Sequence, residues 1–319
     1  MPIPRTPSAS RSLRQGTRVR VPVAAPFRLE LTVRLLQRLP AHPVEVLDGG
    51  RYVRAFLGPR GPAGWIARTR PEADGLELEL FGAVGEVAPW VSLLRRTLGL
   101  DVELAPFFRR AAAIPALAPL ARAMAGVRPP RFLALHEALA SVIPFQQVSL
   151  AAGVAALRRI VLALSAPVRL DDVEAWPFPS AADLAGAPVA VLRAAGLSGA
   201  KARALQGACR AIHDGALDGE ALEAMPTVAL VARLREIPGI GPWSAALLAL
   251  RGFGRLDVFP PGDVAAARLL GRIPRGPELE AQLGPWRGML YYAFFLQRTM
   301  STPAGRSDLG VAPPEPGRP

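Results

Sequence analysis

One proline and two glycines in the run Leu234-Arg-Glu-Ile-Pro238-Gly239-Ile240-Gly241-Pro-Trp243-Ser-Ala constrain this chain more than any other feature. Pro238 cannot continue a helix, and glycine takes positive φ without a Cβ clash, so Gly239 and Gly241 let the chain turn sharply between two helices. The turn leaves backbone N–H groups without internal partners where the second helix begins, and the positive end of that helix reinforces them. Such a row of donors suits a phosphate. An ordinary tight turn between helices satisfies the same pattern, so the surrounding sequence has to decide.

Further along, Pro260-Pro-Gly-Asp263 precedes the apolar run Val264-Ala-Ala-Ala-Arg-Leu-Leu270, which places Asp263 at the first turn of a helix. As an N-cap its carboxylate accepts from the helix's free N–H groups. The same position lets an ionised carboxylate, favoured by the helix dipole, stabilise a developing cation. The two roles are compatible.

Composition narrows the partners. The formal charge of +12 suits a polyanion and predicts salt-sensitive binding. Nearly all of the basicity is arginine, since Lys201 is the only lysine. With 319 residues and 50% hydrophobic content the chain can bury a sizeable core in two or three lobes. A single cysteine, Cys209, excludes an intrachain disulfide and a four-cysteine iron–sulfur cluster, and it reads as a small buried hydrophobe. His42, His136 and His213 offer no metal-ligand spacing, so no side-chain metal site is expected. Neither a signal peptide nor a long uncharged apolar span is present, and the expectation is a cytosolic protein without a membrane segment.

Patterning divides the chain. Residues 1–22 are rich in Arg, Ser and Pro and read as a disordered basic tail, either touching DNA or inert. Val44 to Phe56 reads as strand, Gly-rich turn and strand, and Leu76-Glu-Leu-Glu-Leu80 alternates as a half-buried strand does. An antiparallel α+β domain is therefore expected over 23–106. Ala- and Leu-rich segments broken by Pro and Gly predict an all-α body over 107–301, with Ser149 as the N-cap of a helix reaching Leu164 and two helices meeting at a turn within Val189 to Lys201. Residues 302–319 read as a disordered Pro-rich tail.

The hairpin, Leu250-Arg-Gly252, Asp257-Val-Phe-Pro260 and Asp263 together resemble the helix-hairpin-helix DNA glycosylases, and within them the DNA-3-methyladenine glycosylase II family. Val142-Ile-Pro-Phe-Gln146-Gln147-Val148-Ser149 and Gly284-Pro-Trp286-Arg287 resemble two further motifs of that family, so the likeness runs from about Phe27 to Arg298. It implies a small N-terminal antiparallel sheet domain followed by a two-lobed all-α helix-hairpin-helix body, acting as a monomer on damaged double-stranded DNA.

The resemblance also assigns tasks. Gly239, Ile240 and Gly241 would grip a phosphate, with a monovalent cation on neighbouring carbonyls and no other cofactor. Gln146 and Gln147 would fill the gap left by an extruded nucleotide, although solvated loop glutamines read the same way. Trp243, Leu247 and Phe295 would line the base pocket, where an indole can stack on a cationic base; packing between the hairpin helices also accounts for Trp243. Asp263 would stabilise the oxocarbenium-like sugar and orient water, with Asp257 a structural hydrogen-bonding partner. Three departures stand out: Phe145 replaces a usual glycine, Pro144 is atypical, and Leu247 stands where well-known members carry Tyr.

Strand-cutting relatives form a Schiff base through a hairpin-region lysine. Trp243 occupies that position here, and Lys201 lies upstream on another helix, so a monofunctional enzyme for alkylated purines is expected. A preference for deaminated or oxidised bases, and a DNA-binding protein without turnover, are the alternatives.

Overall fold

The computed structural model describes residues 10–40, 42–70, 75–263 and 281–301. Its strands are β1 (Arg11–Ser12), β2 (Gln15–Pro22), β3 (Val46–Asp48), β4 (Arg51–Gly58), β5 (Gly61–Thr69), β6 (Gly75–Gly82), β7 (Val168–Leu170) and β8 (Val173–Ala175). Helices α1 (Leu29–Gln37) and α2 (Ala88–Leu98) accompany the larger sheet. The helical body comprises α3 (Ala105–Ala113), α4 (Ala118–Ala123), α5 (Leu135–Ala140), α6 (Leu150–Leu164), α7 (Ala181–Gly186), α8 (Val189–Ala194), α9 (Gly199–His213), α10 (Gly219–Glu223), α11 (Thr227–Arg235), α12 (Pro242–Phe253) and α13 (Met289–Ser301).

The larger sheet has the order β2-β6-β5-β4-β3, and every pairing in it is antiparallel. The expected Gly-rich turn between β3 and β4 is a two-residue one, Gly49 (φ 52°) and Gly50 (φ 78°), in which both central residues need positive φ. Tyr52, Phe56 and Trp65 point to one face and pack against Leu29, Val33 and Leu36 of α1 and Leu94 and Leu98 of α2.

The opposite face is also covered. Val53, Ala55 and Ile66 meet Val168 and Leu170 of a second sheet, β1-β7-β8, in which β1 runs parallel to β7. A Cβ on Gly64 would lie 2.3 Å from Leu170 Cδ2, so glycine is what lets the two sheets approach.

Two expectations change. Residues 15–22, read as tail, form β2, because Val19 and Val21 face Leu78 and Leu76 across the ladder and only that pairing reveals them as strand. The body is not wholly helical either, since β7 and β8 are three-residue strands too short to show a period. The expected tail residues 1–9 and 302–319, and the helix expected from Val264, lie outside the described residues.

Helix α1 joins the two halves by being apolar on two sides. Leu29, Val33 and Leu36 enter the sheet core, while Leu31 and Leu35 enter the core of the body. A buried ionic cluster crosses the same boundary: Arg54 of β4 pairs with Glu45 and, at 2.5 Å, with Glu137 of α5. The Tyr52 hydroxyl donates to Glu45 at 2.6 Å, so each charge in this cluster has a partner, as burial requires. The consequence for the site is that the residue following α1, Arg38, is carried into the interior of the helical body.

Candidate functional site

The hairpin turn closes where Ile240 N–H donates to Ile237 O at 3.0 Å. Only Gly239 is left-handed, at φ 85°, and a Cβ there would stand 2.8 Å from Ala204 Cβ of α9. Gly241 has φ −84° and ψ −178°, which any residue adopts, so the expectation that both glycines use positive φ is corrected. Open space lies where the Gly241 Cβ would be. Gly241 is the exposed N-cap of α12 without a side-chain hydrogen bond, and Pro242 follows it, so the start of the helix lies at the surface. Ile240 is buried behind the turn.

Trp243, at the second position of α12, donates its indole Nε1–H to Asp263 Oδ2 at 3.0 Å. Both residues are half-buried. The hairpin and the Pro-Pro-Gly-Asp turn, 20 residues apart in sequence, are thereby joined at one carboxylate. Leu247, one turn further along α12, is fully buried, and Phe295 of α13 is buried against Tyr291 with ring centroids 5.0 Å apart. Asp257 accepts from the Thr227 hydroxyl at 3.0 Å.

The two loop glutamines separate. Gln146 is not free: its amide donates to Gly239 O at 2.8 Å and to Ser244 Oγ at 2.9 Å, which ties this loop to the hairpin. Gln147 is exposed, with φ 54°, and is the one presented outward. Lys201, expected to lie away from the site, reaches it from α9, donating to Gln146 O at 2.6 Å and Pro144 O at 3.4 Å. The atypical Phe145 is accommodated by Gly153 of α6, where a Cβ would lie 2.4 Å from the ring. The Arg38 guanidinium also neighbours that ring, 4.3 Å from its centroid.

Arg38 and Tyr291 lie within electrostatic reach of Asp263. Burial, and then the nearby Arg251 charge, push the Arg38 guanidinium down to about 9, with Tyr291 and Asp263 acting in the opposite direction; it stays cationic at neutral pH. Burial pushes the Tyr291 hydroxyl up to about 12, opposed by Arg38 and assisted by Asp263. Sequence reading missed Arg38, Tyr291, Ser244 and the role of Lys201 in the loop. Nothing in Leu36-Gln-Arg38-Leu distinguishes this arginine from a solvated one at a helix end.

A separate cleft of about 590 Å³ beside Arg28, Gly49, Arg51 and Arg68 contains none of these residues. Arg51 and Arg68 are paired there with Asp48 and Glu79, so neither is left to attract a ligand. Among the described residues no group of three or more His, Cys, Asp or Glu could hold a metal ion. None of the described helices is long and apolar enough to cross a membrane.

Comparison with known proteins matches residues 140–281 to the HhH-GPD superfamily of base excision DNA repair proteins, and residues 18–134 to the AlkA N-terminal domain. A probable bifunctional transcriptional activator/DNA repair enzyme AlkA from Mycobacterium tuberculosis is 27% identical over 280 residues, 86% of this chain. The chain spans 55% of that relative's length. A DNA-3-methyladenine glycosylase from Bacillus subtilis is 28% identical over 217 residues, covering 66% of this chain and 72% of its own. Among solved structures, a 3-methyladenine DNA-glycosylase from Archaeoglobus fulgidus superposes with a TM-score of 0.73 at 22% identity, covering 90% of this chain and 99% of that one, a likeness of fold.

Proposed function

The chain belongs to the HhH-GPD superfamily of base excision DNA repair proteins and carries an AlkA-type N-terminal domain, and on that premise we propose that it is a monofunctional DNA glycosylase that extrudes alkylated purines such as 3-methyladenine and hydrolyses their N-glycosidic bond. The observation that carries this reading is the 3.0 Å hydrogen bond from Trp243 Nε1–H to Asp263 Oδ2, which fixes one carboxylate beside the open N-terminus of the hairpin helix.

In this reading a phosphate of damaged double-stranded DNA docks on the first-turn N–H groups at Gly241, and Gln147 enters the space of the extruded nucleotide. The C1′–N bond breaks and its electron pair leaves with the base. A base that is already cationic departs neutral, so the enzyme's main task is the sugar. Asp263 stabilises the oxocarbenium-like C1′ and orients the water that adds to it. Trp243 holds that carboxylate in place and offers its ring to the extruded base. A monovalent cation on backbone carbonyls neighbouring the hairpin would stiffen the turn, carbonyl oxygen being a donor that suits a hard ion. No catalytic step depends on it.

The Lys201 amine is engaged by two loop carbonyls, which supports attack by water in place of imine formation. The net charge of +12 supports a polyanionic partner. The test is base release from duplex oligonucleotides carrying 3-methyladenine, 7-methylguanine, hypoxanthine or ethenoadenine. Wild type releases at least one methylated base, and Asp263→Asn slows this by at least about 1000-fold while binding DNA as before. Binding without release from any of the four would support the non-catalytic alternative. Release by Asp263→Asn within a few-fold of wild type would remove the carboxylate from the chemistry.

A further inference from the structure

The segment between α5 and α6 is held at both ends and bare in the middle. On its first side the Lys201 ammonium reaches across from α9 and donates to Gln146 O at 2.6 Å and Pro144 O at 3.4 Å. The Gln146 side-chain amide continues the series of bonds, donating to Gly239 O at 2.8 Å and to the buried Ser244 hydroxyl at 2.9 Å. On its second side Ser149 caps α6, its hydroxyl oxygen accepting from Ala152 N–H at 3.2 Å. Between these two posts stand Gln147 and Val148, both exposed, with Gln147 left-handed at φ 54°. A residue with a side chain keeps that conformation only where its surroundings impose it.

Two observations give Lys201 a task beyond filling space. Every Lys or Arg position of the chain except this one is arginine. A guanidinium spreads its donors in a planar fork, whereas an ammonium is a compact donor that two converging carbonyls can share, so this position carries the cation whose shape suits the contact. The second observation is where the bonds lead. Gly239 is the left-handed residue of the hairpin turn, and Ser244 follows Trp243 in the first turn of α12. Through Gln146, the ammonium therefore connects the exposed tip with the turn that begins the helix assigned to phosphate. The tip itself pairs a polar side chain with an apolar one, and Val148 is 45% exposed, as a wedge that enters a base stack requires.

Resting on the glycosylase reading, we propose that Lys201 is a positioning residue for base extrusion: with Gln146 it locks the loop to the hairpin, so that Gln147 and Val148 form a rigid wedge at a fixed distance from the phosphate site. A wedge that is rigid before it meets DNA loses little conformational freedom on entry, which leaves more of its contact energy for separating the lesion from its partner strand. Lys201 acts through the loop and takes no part in bond cleavage. When extrusion precedes cleavage, the observed rate is the product of the extruded fraction and the cleavage rate. A base that is already unpaired needs less help, because unpairing is part of what extrusion costs.

The experiment uses the full chain as wild type, Lys201→Met, Gln146→Met and the double variant. Single-turnover release of 7-methylguanine at saturating enzyme is measured from two duplexes of one sequence, with the lesion opposite cytosine or opposite a stable abasic analogue; if wild type releases only another base of the panel, that base replaces it. Lys201→Met slows release of the paired lesion on the order of tenfold, the effect of about one hydrogen bond to a charged group, and of the unpaired lesion by less than about threefold. Gln146→Met shows the same selective loss, and the double variant is little worse than either, because both break one clamp. If Lys201→Met does not fold, Gln146→Met decides by the same criterion. An equal fall on both duplexes assigns Lys201 to packing, or to a direct phosphate contact where affinity for undamaged duplex falls as well, and overturns the inference. Unchanged rates on both duplexes also overturn it, and in each of these cases the glycosylase reading stands. Wild type that releases no base of the panel from either duplex sinks both.

Discussion

Replacing Trp243 by Phe isolates the contact on which the proposed chemistry turns. The substitution keeps an aromatic ring at the head of α12 and removes the indole N–H that lies 3.0 Å from Asp263 Oδ2. A hydrogen bond to a charged group contributes about 1.5–3 kcal/mol. Both partners are half-buried, which places this bond toward the lower end of that range, about 1.5–2 kcal/mol. At about 1.4 kcal/mol per tenfold in rate, excision slows roughly 10- to 30-fold if the bond holds the carboxylate where the sugar's charge develops. Binding should hardly change, because the phosphate contacts proposed at Gly241 would not involve the indole. The assay is single-turnover release of 7-methylguanine at saturating enzyme, paired with fluorescence anisotropy on a duplex carrying a stable abasic analogue. Trp243→Ala also loses the ring and should be slower than Trp243→Phe. If Trp243→Phe excises within twofold of wild type while Trp243→Ala is severely impaired, the ring matters, the N–H does not, and orientation of Asp263 must come from elsewhere.

The two hairpin glycines should fail in different ways: Gly239→Val should lose about 2–4 kcal/mol in thermal or urea melts, because φ is 85° and Ala204 is close. Gly241→Ala should fold within about 0.5 kcal/mol of wild type, yet bind lesion and undamaged duplex alike about tenfold more weakly, and equal affinity by anisotropy would remove the turn from the DNA site. Incubation with lesion DNA should leave an abasic strand cut only by added alkali, with no borohydride-trapped adduct; a trapped adduct lost in Lys201→Met would assign lyase chemistry to the amine now seen at the loop. Burial pushes His42 down to about 3, and its Nδ1 accepts from Val44 and Glu45 N–H. Since the folded value lies below the unfolded one, its contribution to stability is complete above about pH 6.5 and is lost toward pH 3 at about 1.4 kcal/mol per unit. His42→Gln should reduce the pH dependence of the urea midpoint between pH 6 and 4, and an unchanged slope would refute that origin.

Local chemistry determined much of this protein. Pro238 and Gly239 can do little else than turn the chain between α11 and α12, the Gly49-Gly50 pair closes a hairpin, and Ser149 caps α6 by accepting from Ala152 N–H, because each outcome depends on a few neighbouring residues. The likeness of motif was equally local, and it led to the family and to Asp263. Long-range packing decided the rest. Residues 15–22 became strand only because β6 supplied a partner, and Gly241 proved open where positive φ had been expected. The site's neighbours were decided in the same way: Arg38 comes from the end of α1 and Tyr291 from α13, while Lys201 reaches the Gln146 loop from α9, and none is marked out by the pattern of its own segment. Burial and electrostatic neighbourhood are properties of the assembled interior, so an arginine that reads as solvated in sequence becomes a buried, only partly hydrogen-bonded cation when α1 is wedged between the sheet and the helical body.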